Sequence, residues 1–291
     1  MQETSYARLQ AADAGAFAHL TFPIFRRRLE RLDGGPAAPV AVGARLGGEA
    51  VGLVLLDFAD GYAEVLSVFV KEGYRRRGIA GRLLERAETE TEKSRREIRL
   101  AYEGGAPCTE AVERLLAARG FGAAQRRSLV CRCSGTRIRQ APWLKKDLLP
   151  AAFEIFPWAD LDERQREELR RADWYPALLS PFREEDAVEG LNSLGLRYKG
   201  QIVGWQINHR IARDTIRYTT MFVRPDLQAF GLAIPLMIES IRRHLFSGQL
   251  WIDKATFVVP EEMGGMLAFV ERRMRPYLDA VHPSFEARKT W

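Results

Sequence analysis

Val68-Phe69-Val70-Lys71-Glu72-Gly73-Tyr74-Arg75-Arg76-Arg77-Gly78-Ile79-Ala80-Gly81 joins an apolar run to a turn and a glycine-spaced helix start. A helix that begins at Gly78 has first-turn N–H groups without intrahelical acceptors, and the positive end of its dipole faces the same way. That combination suits an anion such as a diphosphate. Small residues at Gly78, Ala80 and Gly81 let the anion approach the main chain.

The pattern occurs twice. Met221-Phe222-Val223-Arg224-Pro225-Asp226-Leu227-Gln228-Ala229-Phe230-Gly231-Leu232-Ala233 repeats the strand, turn and glycine step, with Gly231 lying 153 residues after Gly78. Arg45-Leu46-Gly47-Gly48-Glu49-Ala50-Val51-Gly52 is echoed by Arg197-Tyr198-Lys199-Gly200-Gln201-Ile202-Val203-Gly204 at an offset of 152. Two blocks at nearly one offset indicate a duplicated domain. The expected division is an N-terminal domain over residues 1–135, a linker over 136–150 broken by Pro142 and Pro150, and a C-terminal domain over 151–291.

A chain of 291 residues, 46% hydrophobic and 28% charged, has enough apolar material for two ordinary cores. Met1 to Leu20 lacks a cationic segment followed by an apolar run, and no stretch reaches the roughly 18 apolar residues of a membrane span. The expectation is a cytoplasmic protein without a membrane partner. Cys108, Cys131 and Cys133 are too few for a disulfide framework, and no second cysteine pair or nearby histidine completes a metal site, so no metal is expected.

The net charge of +6 is unevenly shared. Residues 1–149 hold 25 Lys and Arg against 18 Asp and Glu, whereas residues 150–291 hold 19 against 20. The first half therefore has the field suited to an anionic nucleotide. Nucleic acid is a poorer fit, because the arginines are scattered or gathered at the glycine turn and no nucleic-acid motif accompanies them. Nothing in the sequence indicates an oligomeric state.

Periodicity and turn residues place strands at Ser5–Ala11, Val40–Arg45, Glu49–Phe58, Ala63–Val70, Ile98–Tyr102 and Leu129–Cys133 in the first half. A turn is expected over Pro36 to Pro39, another at Asp60-Gly61, and a helix from Gly78 to about Lys93. The second half reads in the same order, from a strand at Phe153–Trp158 to a last strand at Phe285–Lys289.

That order, with Arg75-Arg76-Arg77-Gly78-Ile79-Ala80 and Gln228-Ala229-Phe230-Gly231-Leu232-Ala233 at the turns, resembles the GNAT superfamily of acyl-CoA-dependent N-acetyltransferases in tandem. The resemblance implies an α/β (α+β) fold of two consecutive GNAT-like domains, each a mixed, mostly antiparallel sheet flanked by helices. It implies acetyl-CoA or another acyl-CoA as co-substrate, a small-molecule amine as acceptor, and transfer of a short acyl group to a primary amine. The amides of Arg76, Arg77, Gly78, Ile79, Ala80 and Gly81 would hold the diphosphate, with Arg75 and Arg82 adding charge. Pantetheine would run along Val68, Phe69 and Val70. Gln228, Gly231 and Ala233 are the matching positions in the second copy, where Phe230 and Leu232 make the turn less suited to phosphate.

Amine attack on a thioester needs a base, since an ammonium near pKa 10 has no lone pair. Glu64 is the leading candidate, with strand-end solvation as its competing explanation. Tyr218 holds the neighbouring register in the second half and could form a polar group with Asp214 and His209. The tyrosine acid that many relatives carry four residues before Gly120 is replaced here by Leu116, and in the second half by Phe269. Trp174-Tyr175-Pro176-Ala177-Leu178-Leu179-Ser180-Pro181-Phe182 lies where relatives place acceptor-binding segments, and its aromatics read equally as a plug at the domain interface. A catalytically silent CoA-binding scaffold and an aminoacyl-tRNA-dependent transferase stand as alternatives.

Overall fold

A computed structural model describes residues 3–35, 38–59, 61–92, 97–249 and 251–291. Three expected features touch residues outside that set: Pro36 of the first turn, Asp60 of the second, and Lys93 at the end of the first long helix. The chain divides into two compact units, one of Met1–Ser128 with His282–Trp291 and one of Leu129–Val281.

The first unit is built from β1 (Thr4–Arg8), β2 (Val40–Leu46), β3 (Glu49–Ala59), β4 (Tyr62–Val70), helix α1 (Ile79–Glu92), β5 (Glu97–Glu103), helix α2 (Thr109–Ala118) and the C-terminal strand (Ala280–Thr290). Its strand order is β1-β2-β3-β4-β5 followed by the C-terminal strand, antiparallel throughout except for β4 with β5. Gly47 and Gly48 both take positive φ, which closes the β2–β3 hairpin in two residues. The face of α1 carrying Ile79, Leu83, Leu84 and Ala87 is buried against Val42, Val54, Val65 and Ile98. Phe121, just after the positive-φ Gly120, joins the same core.

The second unit contains most of β6 (Gln125–Ser134), then β7 (Phe153–Pro157), helix α3 (Glu163–Arg170), β8 (Leu194–Tyr198), β9 (Gln201–Ala212), β10 (Thr215–Val223), helix α4 (Ala233–Phe246), β11 (Lys254–Pro260) and helix α5 (Gly264–Phe269). Its strand order is β6-β11-β10-β9-β8-β7, with β10 and β11 parallel. The β8–β9 hairpin turns on Lys199 and Gly200, again both at positive φ. Among the described residues no helix is long and apolar enough to cross a membrane.

Strand assignment differs from the sequence expectation at both ends. Phe285–Lys289, expected to finish the second domain, lies in the first unit, where Ser284–Thr290 pairs antiparallel with β5. Leu129–Cys133, expected to finish the first domain, lies in the second unit with Cys131 and Cys133 buried in its core. Apolar alternation tells a strand which face to bury but not which edge to join. The expected linker over 136–150 is likewise part of the second unit. Ile138, Ala141 and Leu144 are buried beside Met237, Ile238 and Ile241, and the Trp143 indole donates to the Arg273 carbonyl at 3.1 Å.

An ion cluster fastens the C-terminal strand to α1. Buried Glu88 receives Arg119 Nη2 at 2.7 Å and Lys289 Nζ at 2.8 Å. Burial alone would raise the Glu88 carboxyl, but hydrogen bonds from Arg119 and Lys289 outweigh it and hold it below the ordinary carboxylate value. A carboxyl depressed in the folded state stabilises above its unfolded value, near 4.3, and that contribution disappears as pH falls through the folded value. Glu88→Gln is expected to lower the unfolding free energy by about 2–3 kcal/mol at pH 7, because two cations lose a buried partner. Urea titrations at pH 7 and pH 3 check this; equal losses at both would refute the ionic role.

Candidate functional site

The segment between β4 and α1 combines three local features. A 3-10 turn covers Glu72–Tyr74, Arg76 has φ 63° although it is not glycine, and Gly78 has φ 76°. Left-handed residues two apart turn successive amides out of the regular helical path, the pattern of a main-chain anion nest. Among the described residues, the amides of Arg76, Arg77, Gly78, Ile79, Ala80 and Gly81 have no acceptor; the first to be satisfied is that of Arg82, bonded to the Gly78 carbonyl at 3.1 Å.

The arginines before Gly78 are not simply free charges. Arg75 Nε donates to the Val70 carbonyl at 3.0 Å, and Arg77 Nη2 donates to the Gly73 carbonyl at 3.2 Å. Arg77 also lies over the Tyr74 ring, whose hydroxyl donates to Glu49 at 2.7 Å. Both therefore brace the loop while leaving their remaining guanidinium protons available. Arg76 and Arg82 are both exposed.

The loop opens onto a split between strands. β4 pairs with β5 only through Tyr62, Ala63, Glu64 and Val65. Beyond Val65, β4 keeps β3 as its neighbour while β5 continues against the C-terminal strand. The β5-facing edge of Leu66 to Val70 is therefore an unpaired strand edge of the kind an extended amide-bearing chain can join. Phe69 is 38% exposed there, and Val68 and Val70 face inward.

The second unit repeats this frame with a different outcome. β10 pairs with β11 only from Thr215 to Tyr218, so its strands part at the matching place. Gln228 Nε2 donates to the Val223 carbonyl at 2.8 Å, the same bond that Arg75 makes to Val70. However, Pro225–Phe230 winds into a continuous 3-10 helix that contains Ala229 and Phe230, the Gly231 amide bonds Gln228, and the Ile234 amide bonds Gly231. Of the six equivalent amides, those of Leu232 and Ala233 remain without an acceptor among the described residues. Phe230 projects at 67% exposure where the first unit has Arg77.

The segment Trp174 to Phe182 packs within the second unit. Trp174 stacks on Phe222 at 6.0 Å, Tyr175 meets Trp205 edge-on at 4.9 Å, and Trp205 is fully buried. Phe222 corresponds to Phe69, so this aromatic cluster covers in the second unit a position that the first leaves open. On that evidence the segment is part of the second unit's own core, a role that neither expectation for it had named.

Glu64 stands one residue before the strands of the first unit separate. Its carboxylate lies 3.5 Å from Arg127 Nη1, which also lies 3.3 Å from Glu286 of the C-terminal strand. Leu116, in the place of the expected tyrosine acid, is buried in the apolar core, and Phe269 packs against the core of the second unit.

The expected grouping of Tyr218, Asp214 and His209 is not found. Asp214 pairs with Lys254 at 2.8 Å and turns to Thr215. Adjacent strand positions face opposite sides of a sheet, which separates Tyr218 from the face that His209 shares with Thr219. The Tyr218 hydroxyl instead meets His244 Nδ1 at 3.1 Å and receives Asn192 Nδ2 at 3.1 Å. Burial raises the phenol well above its ordinary range and lowers His244. Because His244 Nε2 faces the Ile252 carbonyl at 3.2 Å, Nε2 carries the hydrogen and Nδ1 accepts from the phenolic O–H. Asn192, Asn208, Gln206 and Ser240 extend this buried network. It went unanticipated because its members come from four separate segments, each with one or two polar residues inside an apolar pattern.

Residues 7–121 match the model of the acetyltransferase (GNAT) family. The chain is similar over 98% of its length to 98% of a tandem GNAT protein from the clavulanic acid biosynthesis pathway, with a TM-score of 0.72 and 16% identity. A GCN5-related N-acetyltransferase from Sphaerobacter thermophilus matches 99% of the chain over 95% of its own, at a TM-score of 0.66 and 17% identity. A putative acetyltransferase from Pyrococcus horikoshii matches the full chain over 90% of its own, at a TM-score of 0.55 and 14% identity. At these identities the likeness is one of fold. No curated protein matches the sequence.

A side chain at Gly78 would force an L-residue into left-handed backbone at a cost of about 1–2 kcal/mol. Gly78→Ala is therefore expected to weaken CoA binding roughly tenfold in calorimetry, with Gly231→Ala leaving it unchanged. The opposite ranking would point to the second unit as the place where CoA binds.

Proposed function

We propose that this protein transfers an acetyl or other short acyl group from acyl-CoA to the primary amine of a small molecule, with the chemistry in the first unit; the match of residues 7–121 to the GNAT acetyltransferase family model and the tandem GNAT fold of the whole chain support this reading. The observation that carries this reading is the contrast between the two loops: among the described residues, six amides at the glycine turn lack an acceptor in the first unit and two in the second. Anion binding at a helix start depends on such unclaimed donors and on the dipole behind them.

In this reading the diphosphate sits on Arg76 to Gly81, with Arg75, Arg77 and Arg82 lending charge. Pantetheine joins the open edge of β4 along Val68, Phe69 and Val70, so the thioester reaches the place where β4 and β5 part. A main-chain amide of that edge polarises the carbonyl, and fixed alignment of amine and thioester supplies much of the acceleration. Glu64 takes a proton from the incoming ammonium through water. The free amine attacks, the C–N bond forms and the C–S bond breaks, and the second nitrogen proton passes through water to the departing thiolate. A water route suits this site, because Leu116 offers no proton where a tyrosine acid was expected.

The second unit acts as scaffold in this scheme, with its strand gap lined by core aromatics. A wholly silent CoA-binding protein is the alternative that the apolar Leu116 and Phe269 favour. Turnover over an amine panel separates the two: thiol release supports transfer, and tight CoA binding without release supports the silent protein.

Calorimetry with acetyl-CoA is expected to find one site per chain, and absence of binding at millimolar cofactor would end the proposal. Glu64→Gln is expected to reduce kcat about 100-fold while leaving CoA affinity near that of the parent. An unchanged kcat would remove Glu64 as the base without touching the cofactor assignment.

A further inference from the structure

On the face of the second unit's sheet opposite Tyr218, three side chains are arranged in a way that the reading of the first unit leaves unused. Thr219 follows the last β10 residue paired with β11, so it stands where those parallel strands part. Its Oγ1 lies 2.7 Å from His209 Nδ1 and 3.1 Å from Arg217 Nε. His209 Nε2 lies 3.2 Å from the main-chain oxygen of Glu184, which can only accept. The imidazole therefore carries its hydrogen on Nε2 and presents a bare Nδ1 to the threonine hydroxyl. The hydroxyl has a second acceptor, the Arg217 carbonyl at 3.3 Å, but the shorter contact is to Nδ1.

The surroundings keep this geometry in place. His209 is buried, and burial, the largest influence, lowers its pKa and keeps the ring neutral at pH 7. Glu184 holds a left-handed backbone with φ 55°, and its carboxylate binds Arg217 Nη2 at 2.7 Å. One residue thus orients the imidazole through its carbonyl and the guanidinium through its side chain. Thr219 itself is half-buried, within reach of a small molecule. Trp205 and Ile207 precede His209 on the same strand face and are fully buried, so the packed layer that borders the hydroxyl is apolar.

We propose that Thr219 is a nucleophile activated by His209, giving the second unit an esterase-type activity on small, apolar acyl esters. Thr219 Oγ1 attacks the ester carbonyl carbon while its proton passes to His209 Nδ1. The bond from carbonyl carbon to leaving oxygen breaks, and the leaving alcohol departs with that proton, so an acyl-threonine ester remains. Water then attacks the same carbon, giving a proton to Nδ1. The bond to Oγ1 breaks, Oγ1 recovers the proton, and the carboxylic acid leaves. The Arg217 Nε–H stabilises Oγ1 while it carries developing negative charge, and the open edge of β10 beyond Tyr218 offers main-chain donors for the carbonyl oxygen. None of these steps depends on CoA or on the first unit.

The test uses the full chain with 4-nitrophenyl acetate, followed by peptide mass spectrometry. The expected result is release of 4-nitrophenolate and one acetyl group on the peptide containing Thr219. Thr219→Ser keeps both, Thr219→Val abolishes both, and His209→Gln slows release about 100-fold. Acetyl-CoA binding and thermal unfolding like those of the parent are expected for all three variants, which separates chemistry from folding. Acetyl found only elsewhere, as on exposed Cys108, no acetyl at all, or a Thr219→Val protein as reactive as the parent would overturn the assignment, and so would loss of labelling in Thr219→Ser.

Discussion

Main-chain amides without acceptors, held in front of a helix by left-handed backbone, are the constraint around which the first unit is organised. Unclaimed donors are costly if buried and useful if a solvated anion can reach them. The loop keeps them exposed by bracing itself through side chains instead: Arg75 to Val70, Arg77 to Gly73, and Tyr74 with Lys71 to Glu49. Sequence residues that look like an anion-binding triplet thus serve first as struts. The matching bond from Gln228 to Val223 shows why glutamine replaces arginine there, since both supply an N–H at the right reach from the same turn.

Duplication preserved the frame and changed what it leaves open. In both units two parallel strands share four residue pairs and then part. In the second unit the turn tightened into a regular 3-10 helix that consumes its own donors, and Trp174 with its aromatic neighbours covers the strand residue equivalent to Phe69. Hydrophobic burial there stabilises a core where the first unit keeps a gap. Beside β10 the second unit carries two polar networks on opposite faces, one that includes Tyr218 and one that includes Thr219.

The first unit is completed by a segment far along the chain, His282–Trp291. Ser284–Thr290 extends the sheet at β5, Ala287 enters the core, and Lys289 joins Arg119 in neutralising Glu88 on α1. The helix that begins after the glycine turn therefore depends on a segment distant in sequence, with Glu88 and Lys289 separated by 201 positions. Glu286 of the same strand also reaches Arg127, the partner of Glu64.

Read alone, the sequence determined the duplication, the glycine turns, the strand and helix before and after each, and the apolar face of α1, because these rest on local spacing and on backbone conformations that few residues adopt. Only the tertiary structure decided that Phe285–Lys289 finishes the first unit and Leu129–Cys133 belongs to the second, that Ile138, Ala141 and Leu144 of the expected linker enter the second unit's core, and that Tyr218 meets His244 while His209 meets Thr219. Strand pairing and side-chain encounters are set by long-range packing. A period-2 apolar pattern encodes which face turns inward, whereas the neighbour it finds depends on the free edges and buried polar partners that the rest of the folded chain leaves available.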